Sequence, residues 1–407
     1  MAVRRKKSKS SSFGSFFSLP KILSGTTRRR KTPTGSLMRW TGGLLLTAFL
    51  GFLGLSSSER NIADVNDFMQ DGSAQNAGGP ETPGVELSSM VELAPLGRLP
   101  ASVLATAPDP RKIPPRQAPY LNLCSFNIQF LGNSKKRENV ALASMLSVFD
   151  IVLIQEMVAP PQSGTYPDGT RYNAGPATVD FAQAMERQGF AYIFSEEDTG
   201  AKIHQPGSTT EWWIVFYRPD IVSPAADLPG GFLASQRASH PIFQRVPYAF
   251  PFRTRSGTLD FVLIPVHLYP DAGPKNRAKR AAELAAVAEI VEKSSSPESR
   301  FLIVGDMNIQ SIAEIHQTLP PGYVSLNAAC VPTNTMRTAP FDHVVLRTDR
   351  NPQVDYDTGC VVIDLIAAMR PMWRDPSRSY PGDPYDHDAF RQYYSDHQPI
   401  AFRFRIP

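Results

Sequence analysis

Four apolar runs in this chain each end in a polar side chain, and no other feature narrows the possible folds as far. Leu121-Asn122-Leu123-Cys124-Ser125-Phe126 leads to Asn127, and Ile151-Val152-Leu153-Ile154-Gln155 leads to Glu156. Phe261-Val262-Leu263-Ile264-Pro265-Val266 leads to His267; Phe301-Leu302-Ile303-Val304-Gly305 leads to Asp306 and then Asn308. Short apolar runs of this kind are strands. The predicted strands cover 120–127, 150–155, 191–195, 211–217, 260–267, 300–305, 342–346 and 398–405. Helical patterns fall at 136–148, 177–189 and 275–293, the last with a stripe of Leu284, Val287, Ala288 and Val291. Strands alternating with helices predict α/β layers, sheets inside and helices outside.

A single polar residue at a strand end is usually a turn or cap. Four in order point instead to one cleft, with a rigid sheet supporting each group. Near the C-terminus, Ser395-Asp396-His397 adjoins another apolar strand. An adjacent Asp and His can supply a carboxylate for a metal shell and an imidazole for proton transfer. Asp342, in Phe341-Asp342-His343, suits the orienting of an imidazole from behind, or simply caps its strand. The inventory is oxygen-rich and lacks sulfur, which suits a hard cation, Mg²⁺ before Ca²⁺ or Mn²⁺.

Charge divides the chain. Residues 1–40 hold eleven of the 42 Lys and Arg and no acid, leaving 31 basic against 38 acidic residues, net −7, in the remainder. Overall charge therefore gives no argument for nucleic-acid binding. Residues 40–58 carry no charge and centre on a Leu-rich run, so they are expected to form a signal anchor or transmembrane segment. The cations before it and Glu59 after it put 1–39 in the cytoplasm as a basic tail and the rest outside. A cleaved signal, giving a secreted protein, is the alternative. Residues 59–119, rich in Pro, Ala, Gly and Ser, read as a disordered linker, and 120–407 as one folded domain. Cys124, Cys330 and Cys360 specify no disulfide framework; a Cys330–Cys360 bridge stays open.

Taken in order, Ser125-Phe126-Asn127-Ile128, Ile154-Gln155-Glu156, Val266-His267-Leu268, Gly305-Asp306-Met307-Asn308 and Ser395-Asp396-His397 resemble the motifs of the endonuclease/exonuclease/phosphatase superfamily. The resemblance covers 120–407 and is nearest to the deoxyribonuclease I-like branch. There Glu211, opening Trp212-Trp213, is similar to a His-pairing glutamate, and Gln244-Arg245-Val246-Pro247 is similar to a phosphate-contacting segment. The resemblance implies an α/β fold of two mixed β-sheets packed face to face and flanked by helices, a four-layer sandwich. It implies Mg²⁺ held by Glu156 with Asn127, Asp306 and Asp396. His397, oriented by Asp342, would be the general base; His267, oriented by Glu211, the general acid; Asn308 and Arg245 would hold phosphate oxygens.

The substrate implied is DNA, hydrolysed with low sequence specificity, and the expected protein is a monomer with no protein partner. A lipid-headgroup phosphodiesterase of the sphingomyelinase kind is the alternative, and a non-catalytic binding module a third reading. Trp212 and Trp213 are expected in the core. His204, His240, His316 and His387 match no motif. Lys275, Arg277, Lys279 and Arg280 could touch a phosphate backbone or be a solvated helix face. The loop 160–176 and the insert 347–394 lie near the motifs, the second a possible lip over the site.

Overall fold

The computed structural model describes residues 116, 118–200, 204, 210–235, 240–294 and 299–407. The basic tail, the apolar segment 40–58 and nearly all of the linker lie outside the described residues.

The chain runs β1 (Tyr120–Leu131), α1 (Asn139–Leu146), β2 (Ile151–Met157), a small hairpin of β3 (Gly164–Thr165) and β4 (Arg171–Tyr172), then α2 (Pro176–Arg187). Next come β5 (Ala191–Phe194), β6 (Trp212–Tyr217), β7 (Val222–Pro224), β8 (Gly231–Phe232), β9 (Tyr248–Thr254) and β10 (Asp260–His267). The last third holds α3 (Pro274–Ser294), β11 (Phe301–Asp306), α4 (Ile312–Thr318), β12 (Val324–Ser325) and β13 (Asp342–Leu346). It closes with β14 (Val361–Val362), α5 (Leu365–Met369), α6 (His387–Tyr393) and β15 (Ile400–Arg405).

Two mixed sheets form the centre. One has six strands in the order β14-β15-β1-β2-β6-β5; the other has the order β12-β13-β11-β10-β9-β7, with β8 also on β9. Each is built around one parallel pair, β1 with β2 and β10 with β11, and the neighbours of those pairs run antiparallel. Side chains alternate across a strand, and the apolar clusters follow that period. Leu121, Leu123, Ile151 and Leu153 face inward onto Leu263, Leu302, Val304, Val344 and Leu346. Cys124, Phe126, Val152 and Ile154 face outward under α1 and α2. Val262, Ile264, Val266 and Ile303 face outward under α3 and α4. The result is four layers, helix–sheet–sheet–helix, and each fully buried Leu or Phe adds about 1.5–3 kcal/mol.

The inward parity continues to the strand ends. Asn127, His267 and Asp306 each lie an even number of residues beyond an inward-facing Leu or Val, and Asp342 lies two before Val344 on a strand of opposite direction, so all four emerge between the sheets at one edge.

Several expectations need correction. The helix expected from 136 starts at Asn139, because Arg137 folds back and donates to the carbonyls of Gln129 and Tyr394. Strand β9 was not anticipated, nor were α4, α6 and the short strands. The basic cluster on α3 is not one solvated face: Arg280 is fully buried, paired with Glu314 at 2.6 Å and donating to the carbonyls of Tyr269 and Asp271. Trp212 and Trp213 are buried, as expected, and all three cysteines are free thiols. The insert 347–394 packs mainly onto the outer face of the six-stranded sheet, through Leu365, Met369, Phe390 and Tyr394. The loop 160–176 forms the small hairpin, stacks Tyr166 on Trp212 and sets Tyr172 tilted against the same ring.

Candidate active site

The site forms where the parallel pairs of the two sheets end. Asn127 sits opposite Gln155 in β1–β2, one step before Glu156, and His267 sits opposite Asp306 in β10–β11. Asp306 in turn faces Asp342 across β11–β13. At Glu156 the backbone takes a positive φ of 60°, and the pairing shifts register on both sides of β2. That kink re-aims a residue whose parity would have turned it outward. Gly305, at φ +142°, is required for a different reason: a Cβ there would lie 2.3 Å from the Val266 carbonyl and 3.2 Å from Nε2 of Gln155. The close approach of β10 to β11 at the end that carries His267 and Asp306 depends on its absence.

Asn127 bridges the two sheets. Its Nδ2 donates to Glu156 Oε1 at 3.0 Å and to Asp306 Oδ2 at 3.1 Å, while its Oδ1 is buried without a hydrogen-bond partner. Glu156 also accepts from the Phe130 N–H at 3.0 Å and donates its own N–H to Glu211 at 3.3 Å. Burial raises the Glu156 carboxyl above its ordinary value, and crowding by Glu211 and Asp396 adds to the rise against an opposing pull from His267.

Two histidine–carboxylate pairs flank Asp306. His397 donates from Nδ1 to Asp342 Oδ2 at 2.8 Å, and Thr333 donates its hydroxyl to the same oxygen at 2.6 Å. Burial opposes protonation of His397, but Asp342 and Asp306 beside it hold the imidazole well above its ordinary value. His267 sets Nδ1 on Glu211 at 2.9 Å, and Arg245 forms an ion pair with the same carboxylate. Burial works against ionised Glu211, yet Arg245 and His267 bring it down to about 2. Burial and Arg245 lower His267, and Glu211 and Asp306 outweigh them to raise it. Both imidazoles turn Nε2 toward one atom, Asp306 Oδ2, each at 3.6 Å. The pairs Asn127–Asp306, His267–Glu211 and His397–Asp342 each take one member from each sheet or its flank.

The remaining expected residues lie close by. Asn308, at φ +52°, donates its N–H to Asp306 and its side-chain amide to the Leu268 carbonyl. Arg245 is buried against Glu211, so its first task is to keep that carboxylate ionised. Asp396 receives Gln129 Nε2 at 2.8 Å and stands beside the main acidic cluster. Sequence reasoning missed Gln129, Thr333 and Glu283, and took Ser395 only as part of the Ser395-Asp396-His397 motif, with no role. Ser395 Oγ donates to the Asn127 carbonyl at 2.7 Å and accepts from the N–H of Gln129 and of His397. Glu283, buried on α3, accepts from the N–H of Gln244 and of Tyr269, both at 2.7 Å, and so ties down the loops beside Arg245 and His267. Only Gln129 carried a signal: it shares the strand parity of Asn127.

The donors fit a hard divalent cation. Oxygens of Glu156 and Asp306 and a nitrogen of His267 lie within 4.8 Å of one another, and the partnerless Oδ1 of Asn127 is the kind of buried atom a cation satisfies.

A family model described as Endonuclease/Exonuclease/phosphatase family matches residues 124–397. Deoxyribonuclease gamma of Rattus norvegicus is 24% identical over 194 residues, an alignment that takes in 46% of this chain and 55% of the rat protein. The chain thus spans about half the length of that curated relative. Among solved structures, D. rerio TDP2 complexed with single strand DNA product aligns at 17% identity and TM-score 0.45, covering 70% of this chain and 99% of that one. The human Nocturnin catalytic domain with bound sulfate aligns at 14% identity and TM-score 0.45, covering 74% of this chain and 100% of that one.

Proposed function

The chain belongs to the endonuclease/exonuclease/phosphatase family, and from that premise we propose that it is a divalent-metal-dependent phosphodiesterase that hydrolyses DNA with little base specificity. One observation carries the reading: two imidazoles, each held from behind by its own carboxylate, face a single oxygen of Asp306 from 3.6 Å. Hydrolysis of a phosphodiester needs a base to take a proton from water and an acid to give one to the leaving oxygen. Two histidines with separate carboxylate partners divide those tasks. The partial match to a deoxyribonuclease supports DNA as the substrate.

His397 is the base. Donation of its Nδ1–H to Asp342 fixes the tautomer, and once the ring has given up the Nε2 proton that Asp342 and Asp306 favour, Nε2 is free to take a proton from the attacking water. His267 is the acid, because ionised Glu211 favours a proton on its ring and leaves Nε2–H directed into the cleft. Arg245 and Asn308, which both adjoin His267, contact phosphate oxygens. Glu156, Asn127 and Asp306, with Asp396 beside them, would hold Mg²⁺. When bound, the cation supplies positive charge against the phosphoryl oxygens. Low base specificity is proposed because the sequence carries no groove-reading helix motif.

The test is nicking of supercoiled plasmid by the full-length protein in Mg²⁺, run beside phosphocholine release from sphingomyelin. Nicking that EDTA abolishes, and that His397→Ala lowers at least about 10²-fold in kcat, is the expected result. Sphingomyelin turnover without nicking would move the protein to the lipid branch, with the same residues in the same roles.

We further propose that residues 40–58 anchor the chain in a membrane and place the 120–407 domain outside the cytoplasm. Among the described residues, no helix is long and apolar enough to cross a membrane.

A further inference from the structure

We propose that Glu283, buried on α3, is a positioning residue for the acid half of the site: it aims His267 and Arg245 together, and losing it weakens protonation of the leaving oxygen more than any other step. The inference rests on His267 being the general acid.

His267 is the last residue of β10, and the chain leaves the sheet directly after it. A side chain at such an end is only as well aimed as the loop that follows is fixed. Every polar backbone group of the next two residues has a partner. The Leu268 N–H donates to the Asp306 carbonyl at 2.9 Å, and the Leu268 carbonyl accepts from the Asn308 amide at 3.1 Å. The Tyr269 N–H donates to Glu283 Oε2 at 2.7 Å, and the Tyr269 carbonyl accepts from Arg280 at 3.0 Å. Arg280 and Glu283 stand one turn apart on α3, so the helix grips both backbone groups of Tyr269. Lys279 adds its ammonium over the Tyr269 ring, 3.7 Å from the centroid.

Arg245 arrives on a different segment, just before β9. Its neighbour Gln244 donates its N–H to the other oxygen of the same carboxylate, Glu283 Oε1, also at 2.7 Å. Two carboxylates therefore serve one pair of residues. Glu211 holds the side chains of His267 and Arg245, and Glu283 holds the backbones beside them. Bonds this short are those of a charged acceptor. Only a carboxylate can fill the place, because a carboxamide has one accepting oxygen and turns a donor toward the second N–H. The base half is held by other groups, Thr333 on Asp342 and Ser395 on the N–H of His397.

This division has a chemical signature. A sugar oxygen leaves poorly without a proton, so misplacing the acid slows its expulsion. A p-nitrophenolate leaves without one. Both substrates need the base and the phosphate contacts, so only the acid half separates them.

The test measures kcat on plasmid DNA and on bis(p-nitrophenyl) phosphate for full-length wild type, Glu283→Gln, His267→Ala and the double variant. Both rates come from one preparation, so the folded fraction cancels from their ratio. Glu283→Gln should lower the DNA-to-small-diester ratio at least about tenfold, through kcat more than KM. Glu283→Asp, which keeps both acceptors one methylene short, should fall between Glu283→Gln and wild type. His267→Ala should lower the ratio further, and adding Glu283→Gln to it should lower it no more, since both act through one group. A ratio unchanged in Glu283→Gln while His267→Ala lowers it would overturn the proposal and leave Glu283 a staple of the fold. A further drop in the double variant would overturn it too, by giving Glu283 a route of its own. An unchanged ratio in His267→Ala would instead remove the acid assignment, and the proposal with it. Should wild type turn over sphingomyelin and not DNA, that diester takes the place of DNA in the ratio; a wild type inert on all three would overturn both readings.

Discussion

At the scale of single residues, Asp342 and His343 are neighbours with opposite duties. Asp342 turns to the site and holds His397, so Asp342→Ala should lower kcat for DNA hydrolysis at least about 10²-fold with little change in KM; a loss within threefold would remove it from the mechanism. His343 turns away into the interior, where it shares a 2.7 Å hydrogen bond with Ser325. Burial pushes its imidazole down to about 4. The unfolded chain, with an ordinary value of 6.5, then binds a proton that the folded one refuses. Its contribution to stability is complete above pH 6.5 and falls as pH drops toward 4, by about 1.4 kcal/mol per pH unit. Urea melts at pH 7.5 and 4.5 should show a smaller loss between the two for His343→Asn than for wild type. The candidate site residues were legible because each ends or opens an apolar run, a pattern that one-dimensional reading can see. Thr333 and Ser395 were not, because a neutral hydroxyl in a loop gains its role only from the partner the fold brings to it.

Secondary-structure elements were legible to the extent that their hydrophobic period was unbroken. β10, with Phe261, Val262, Leu263 and Ile264, was expected with the bounds it has. β9 was hidden by Pro251, since proline lacks an N–H for the ladder and demotes a run to an edge or a loop. The sheet tolerates it because Pro251 falls between the residues paired to β7 and those paired to β8, where no strand needs its N–H on that side. The lost signal also concealed how close Arg245 stands to the start of a strand. Gly305 is the element-scale counterpart: with Val266 only 2.3 Å from the position of a side chain, Gly305→Ala should separate β10 from β11 at the catalytic end. We expect a loss of at least about 2 kcal/mol in urea unfolding, with activity falling further than the population of folded protein accounts for. Unaltered stability would mean that the two strands can part at no cost.

For the whole molecule, the N-terminal proposal predicts a simple asymmetry. Protease added to intact cells should remove the 120–407 domain and leave an N-terminal tag protected; degradation of the tag, or survival of both ends until lysis, would reverse or remove the assigned orientation. The sandwich has a consequence of another kind. Its three key pairings, Asn127–Asp306, His267–Glu211 and His397–Asp342, each reach across the seam between the sheets. Neither half holds a usable fragment of the machinery, and a slip of about 1 Å along the seam would spoil all three at once. The enzyme is in effect a vernier on its own core. Slight loosening of the interior, by warming or by trimming a residue such as Leu123 or Leu263 far from the cleft, should extinguish turnover while both sheets remain intact.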